Sequence, residues 1–146
     1  MRKYSKHISK QDTLNIPYTE NDLRDFIMLK LKKYIGRTFY NKNLGVNISV
    51  TSSSVRETAQ NCRPNRKAAE LAVYLPYILR NAKVIKLHLP TESKTQKERF
   101  NFTEIAELRC NVKNIGVAKV IVGYRKQREV IEYSITNFQN MKNKTT

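Results

Sequence analysis

Apolar residues along the chain recur first in steps of three and four and later in steps of two. Thr19 and Asp22 make an S/T-x-x-acid opening, and behind them Leu23, Phe26, Ile27, Leu31, Tyr34 and Ile35 keep helical spacing up to Gly36. This pattern predicts an amphipathic helix stopped by the glycine, with Arg24, Lys32 and Lys33 on its solvated side. Asn43-Leu44-Gly45 predicts a turn into a short strand over 46–51, and Ser54-x-x-Glu57 predicts a second helix over 53–61. Residues 66–81 gather Ala68, Leu71, Ala72, Leu75, Ile78 and Leu79 on one side. Pro76 lacks the N–H that its turn requires, so a kink or two short helices are expected there.

After Ala82 the spacing becomes alternating, and strands are predicted over 84–89, 100–112, 117–124 and 128–138. The short links 113–116 and 125–127 imply antiparallel hairpins. Helices followed by a meander of strands indicate an α+β fold, with N-terminal helices packed on one face of a four- to five-stranded antiparallel sheet. The other face is then available for a site. Residues 1–18, polar and basic, read as a flexible arm, 19–138 as a single domain and 139–146 as a basic tail.

Neighbours in a strand point to opposite faces, which sorts the candidate residues. A buried row of Phe102, Ala106, Leu108 and Cys110 sends Glu107, Arg109 and Asn111 to the other side. Burial of Ile131, Tyr133 and Ile135 turns Glu132, Ser134 and Thr136 outward, and burial of Ile85, Leu87 and Leu89 leaves Lys86 and His88 outward. In 117–124 the spacing leaves the two faces open, with Lys119 the only charged member. One surface is therefore expected to collect His88, Glu107, Arg109, Lys119, Glu132 and Ser134.

Charge makes that surface more pointed. Lys and Arg number 28 against 12 Asp and Glu, for a formal net charge of +16. Phosphate backbones are the commonest polyanions such a chain meets, and their neutralisation releases condensed counterions. RNA or another nucleic acid is the expected partner, and an acidic protein is an alternative. Richness in Asn beside Lys is also what AT-rich coding sequence produces. Arg63, Arg66 and Lys67 flank the Pro64 loop at a helix start, where backbone N–H groups attract anions. Lys97 and Arg99 lie in a polar run over 94–99, and Lys86, Arg125 and Arg128 complete the candidate phosphate contacts. Tyr74, Tyr77, Tyr124 and Tyr133 could stack on bases.

Several chemistries find no support in the residues. Cys62 and Cys110 lack CxxC or paired-His spacing, so neither a zinc site nor a redox motif is written, and two buried thiols are expected. No P-loop, Rossmann glycine pattern or nucleophile elbow occurs, and no cofactor or metal is implied. No apolar run approaches the roughly 20 residues of a membrane span, and no apolar segment follows the basic N-terminus, so a cytoplasmic setting is expected. The sorted surface does suit RNA cleavage, in which a base takes the 2′-hydroxyl proton, cations stabilise the phosphorane and an acid protonates the leaving oxygen. Glu107 or Glu132 is the candidate base, Arg109 with Lys119 the charge stabiliser and His88 the acid. The same polar residues also suit an ordinary solvated sheet face, where pairs such as Glu107 with Lys119 stabilise neighbouring strands.

The passages VNISVTSSSVRETAQN, RKAAELAVYLPYILRNAKVI, ERFNFTEIAELRCNV, VAKVIVGYRK and REVIEYSITNF together resemble domains of phage and mobile-element polyvalent proteins assigned to the barnase/EndoU/RelE-like nuclease fold. The resemblance spans about residues 19–138. It implies helices preceding a four- or five-stranded antiparallel sheet, RNase or nucleic-acid-processing activity, and no obligatory metal or cofactor. Relatives often end the short helix with Ser-His, where this chain has Gln60-Asn61, and Asn61 can neither donate nor take a proton near neutral pH. Gly123-Tyr124 and Glu132-Tyr133 loosely occupy the place of the family's glycine or aromatic-rich final hairpin. A protein that holds nucleic acid without cutting it is the alternative.

Overall fold

Thr19 caps the first helix, α1 (Glu20–Leu31): its hydroxyl accepts the Asp22 N–H at 3.0 Å and the Asp22 carboxylate accepts the Thr19 N–H at 3.2 Å. These are the first residues described in the computed structural model, which covers 19–90, 101–126 and 129–137. A 3₁₀ turn over Lys32–Tyr34 and Gly36 at φ +88° lead into β1 (Thr38–Asn41), and Gly45 at φ +72° turns the chain into β2 (Val46–Ser49). The buried Asn41 side chain fastens this hairpin, donating to the carbonyls of Leu79 at 2.7 Å and Ala82 at 3.0 Å while its oxygen accepts the N–H groups of Asn43 and Leu44.

The second helix, α2 (Ser52–Cys62), opens one step earlier than the Ser54-x-x-Glu57 pattern predicts. Thr51 is the cap and Ser54 its reciprocal partner, so Glu57 lies within the helix. The stretch after Pro64 divides into α3 (Arg66–Ala72) and α4 (Leu75–Asn81), with Pro76 in the first turn of α4 where its missing N–H costs nothing. Four strands follow: β3 (Lys83–His88), β4 (Glu104–Val112), β5 (Gly116–Tyr124) and β6 (Val130–Asn137).

The architecture is α+β, with six strands in the order β1-β2-β6-β5-β4-β3 where four to five are expected. Every neighbouring pair is antiparallel except β2 with β6, so the sheet is mixed. Helix α2 packs on β6, α3 on β6 and β5, and α4 on β1, while α1 rests on α2 and α3 as an outer layer. Between helices and sheet, Ile27, Leu31, Val55, Leu71, Leu75, Ile78, Leu108, Val120 and Ile135 are almost wholly buried. Each such side chain contributes about 1.5–3 kcal/mol of burial. Cys62 and Cys110 are buried free thiols; burial pushes the Cys62 thiol well above its ordinary range, with the nearby Glu132 carboxyl adding to the effect.

Two β-bulges reset the faces. In β3, Val84 pairs with Leu108 but Lys86 pairs with Glu107, leaving Ile85 as the extra residue. In β6, Ser134 pairs with Ile121 but Glu132 pairs with Val122, leaving Tyr133 extra. The second bulge splits the expected outward row of β6: Ser134 and Thr136 keep to the face away from the helices, and Glu132 does not. Glu132 is fully buried beneath α2, and Ile131 and Tyr133 join Phe102, Ile105 and Ile121 in a second apolar cluster on the face away from the helices. Phe102 belongs there too, and not with Ala106 and Leu108. Its ring rests on Gly123, where any Cβ would collide with it.

Ile85, Leu87 and Leu89, expected to be buried, are 42%, 55% and 75% exposed. The reason is position: β3 is the edge strand of the sheet, and none of the described helices packs extensively on it.

Candidate active site on the face away from the helices

The ladder of β4 with β5 runs without a break from Glu104↔Tyr124 to Val112↔Gly116, so alternation there holds. Ala106, Leu108 and Cys110 face the helices, and Glu107 and Arg109 face away. Cross-strand partners share a face. On the face away from the helices, Lys83, Arg109, Lys119 and Thr136 form one row, Lys86, Glu107, Ile121 and Ser134 the next, and His88, Ile105, Gly123 and Ile131 the third.

Glu107 is the hinge of these rows. One carboxylate oxygen meets His88 Nε2 at 2.8 Å, and the other accepts from Lys119 Nζ at 3.1 Å. The three side chains are only 15–23% exposed. Burial alone would raise the Glu107 pKa, but hydrogen bonds and charge from Lys119 and then His88 outweigh it and hold the carboxyl below its ordinary value. Glu107 is therefore ionised at neutral pH. The other ring nitrogen of His88, Nδ1, lies 2.7 Å from the Leu89 carbonyl. Both neighbours of the ring are acceptors, so the two contacts are satisfied together only when both nitrogens carry protons.

Of the surface expected from the sequence, His88, Glu107 and Lys119 come into direct contact, and Arg109 stands beside Lys119 as its cross-strand partner. Ser134 shares the face but is 2% exposed. Glu132 is on the other side of the sheet. There the Thr58 hydroxyl donates to Oε2 at 2.7 Å, and Oε1 has no hydrogen-bond partner. Burial raises the Glu132 pKa to about 8, against the Thr58 hydrogen bond and with help from Glu57, so this carboxyl is mostly neutral at pH 7. It cannot serve as a base on the opposite face.

Lys83 is the residue that sequence reasoning missed. Strict alternation from Lys86 excludes it, and only the extra residue Ile85 returns it to the same side. Three cations, Lys83, Arg109 and Lys119, thereby become direct cross-strand neighbours. Like charges so placed destabilise a sheet unless an anion lies between or above them.

The remaining candidate cations do not share that row. Lys86 lies on the same face, opposite Glu107. Arg63 approaches Glu20 at 3.7 Å where α2 ends, and Arg66 and Lys67 open α3, on the helical side. The α3 N-terminus is already capped by the Asn65 side chain, which accepts the Ala68 N–H at 2.8 Å. Arg125 pairs with Glu129 at 3.2 Å beside the β5–β6 link. Lys97, Arg99 and Arg128 lie outside the described residues. Tyr133 is buried edge-on against Phe102, whereas Tyr77 is exposed.

Comparison with protein families matches residues 19–132 to large polyvalent protein-associated domain 3. The chain belongs to that family. The match begins at the cap of α1 and ends at Glu132, so it takes in the whole Glu107 cluster and the β3 bulge, and stops at the edge of the β6 bulge. Comparison with curated proteins and with solved structures returns no match. Among the described residues, no helix of this family member is long and apolar enough to cross a membrane, and no three His, Cys, Asp or Glu side chains gather as a metal would require.

Proposed function

We propose that this domain cleaves RNA without a metal ion, using the face of the sheet that carries His88, Glu107, Arg109 and Lys119. The observation that carries the reading is the contact chain His88–Glu107–Lys119 beside the cation row Lys83–Arg109–Lys119. Such a site holds a proton acceptor, a proton donor and a phosphate cradle within adjacent rows of one sheet. A phosphodiester entering it takes its place over the cations and competes with Glu107 for Lys119. As Lys119 is shared, the carboxylate regains basicity and takes the proton of the 2′-hydroxyl. The 2′-oxygen then bonds to phosphorus, Arg109, Lys119 and Lys83 stabilise the charge on the phosphorane, and the bond to the 5′-oxygen breaks. His88, now parted from Glu107, gives its proton to that oxygen. The products are a 2′,3′-cyclic phosphate and a 5′-hydroxyl.

The experiment is digestion of end-labelled single-stranded RNA in excess chelator, with DNA and 2′-O-methyl RNA as substrates lacking the nucleophile. Cleavage of RNA alone, lost in His88→Ala and Glu107→Gln while circular dichroism stays unchanged, is the expected result. The cation row also favours a second reading, a noncatalytic holder of nucleic acid. Salt-sensitive binding of RNA and DNA alike, with no cut ends after long incubation, selects it.

A further inference from the structure

The two edges of the sheet are unlike. Edge strand β1 has four residues and a single exposed large hydrophobic, Tyr40. Edge strand β3 has six, and from Val84 to Leu89 it exposes Val84, Ile85, Leu87 and Leu89 by 39%, 42%, 55% and 75%. Val84 and Leu87 pair with Leu108 and Ala106, so they lie on the helix side of the sheet, beyond the reach of the helices. Next to each of them in the strand, Lys83 and Lys86 are exposed on the other side. Among the described residues no strand pairs with the outer side of β3, so it offers backbone donors and acceptors there, an apolar strip on one face and cations on the other.

From this arrangement we infer that β3 is a docking edge for an extended acidic segment of another protein, which adds to the sheet as a seventh strand. The segment alternates, with apolar side chains against Val84 and Leu87 and carboxylates against Lys83 and Lys86. Main-chain hydrogen bonds supply affinity in such additions and the alternating side chains supply specificity. Charge decides against a second copy of this chain as occupant. Antiparallel pairing of β3 with itself sets Lys83 and Lys86 against their own counterparts in a chain of net charge +16, and like charges directly opposite are destabilising.

The probe is a synthetic octapeptide of alternating Glu and Val or Leu, bound to the full chain and read by fluorescence anisotropy and by backbone amide shifts. Two controls carry the same charge: a block peptide with all Glu first, and an alternating peptide with proline at every second apolar position. The expected result is binding of the alternating peptide alone, with shifts concentrated over 83–89. Leu87→Lys, a change at an exposed side chain that leaves the core intact, weakens it roughly tenfold. Attraction by charge alone predicts the reverse, since the added lysine then tightens binding. Equal binding of the control peptides, tighter binding by Leu87→Lys, or no binding at all overturns the inference. So does a dimer of the free chain in sedimentation that Leu87→Lys dissolves, because the occupant is then a second copy.

Discussion

Glu107 and Glu132 stand on opposite faces of one sheet and are driven to different protonation states, one ionised and one neutral. On the face away from the helices, Lys119 and His88 bracket Glu107 and keep it ionised. Beneath α2, Glu132 has one neutral hydroxyl donor, one orphaned oxygen and, among the described residues, no cation in contact, so it is held mostly protonated at neutral pH. The sequence neighbourhoods, ELR and VIEYS, give no hint of this. What separates the two carboxyls is whether opposite charge comes within hydrogen-bond reach when water is removed.

Activity gives the largest separation. Under the proposed mechanism Glu107→Gln lowers the rate of RNA cleavage about 10²- to 10⁴-fold, the range general acid–base groups supply. Glu132→Gln leaves that rate within roughly twofold, because this side chain never meets the substrate. Parallel single-turnover rates with the two variants test it, and equal losses sink the distinction.

Stability separates them next, with opposite signs in pH. The folded pKa of Glu132 lies above the unfolded value, so its contribution is fully present below about 4.5 and is lost as pH rises through about 8. Across that window the wild type loses a few kcal/mol relative to Glu132→Gln, at about 1.4 kcal/mol per pKa unit. Urea midpoints of the two proteins at intervals between pH 5 and 9 measure the difference, and parallel curves refute the buried assignment.

Thr58→Val sharpens the same comparison. Removing the hydroxyl that favours the ionised carboxylate raises the Glu132 titration further and costs about 1–2 kcal/mol at neutral pH. Deuterium-corrected infrared titration of the carboxyl band, with denaturation curves beside it, reads both effects.

The smallest effect belongs to Glu107 as a structural group. Its folded pKa is depressed, so its contribution is present above the unfolded value and disappears as pH falls through the lower folded one. For a pair in partial contact with solvent this amounts to less than about 1 kcal/mol and shrinks with salt. Acid unfolding of wild type and Glu107→Gln at low and high ionic strength decides it.

Alternation read the face correctly where the ladder is unbroken and misread it where one residue is extra. Glu107 and Arg109 sit on β4, whose nine-residue pairing with β5 has no irregularity, and that ladder, not the spacing of β5, settles the face of Lys119. Lys83 was hidden and Glu132 misplaced because Ile85 and Tyr133 each slip the parity of their strand. Nothing local marks either bulge, since both form from β-favouring residues. Strand β1 escaped notice for another reason. Thr38–Asn41 offers one buried apolar side chain, Phe39, too little for a period, although the Asn43-Leu44-Gly45 turn implies a strand on both of its sides. Exposure of Ile85, Leu87 and Leu89 depends on how far the helical layer extends, which no strand pattern contains.

Strand β6 is the last described element and also lies inside the sheet, hydrogen-bonded to β2 and β5 and roofed by α2 and α3. During synthesis the hairpin can meet α4 early, but α2 and α3 lack the strand that they mainly cover until β6 emerges. Completion is then a single late, non-local closure joining residues that are far apart in the chain, as at Ser49↔Ile131. Such closures are slow and leave greasy surfaces waiting, so the nascent chain has most need of a chaperone until β6 is in place.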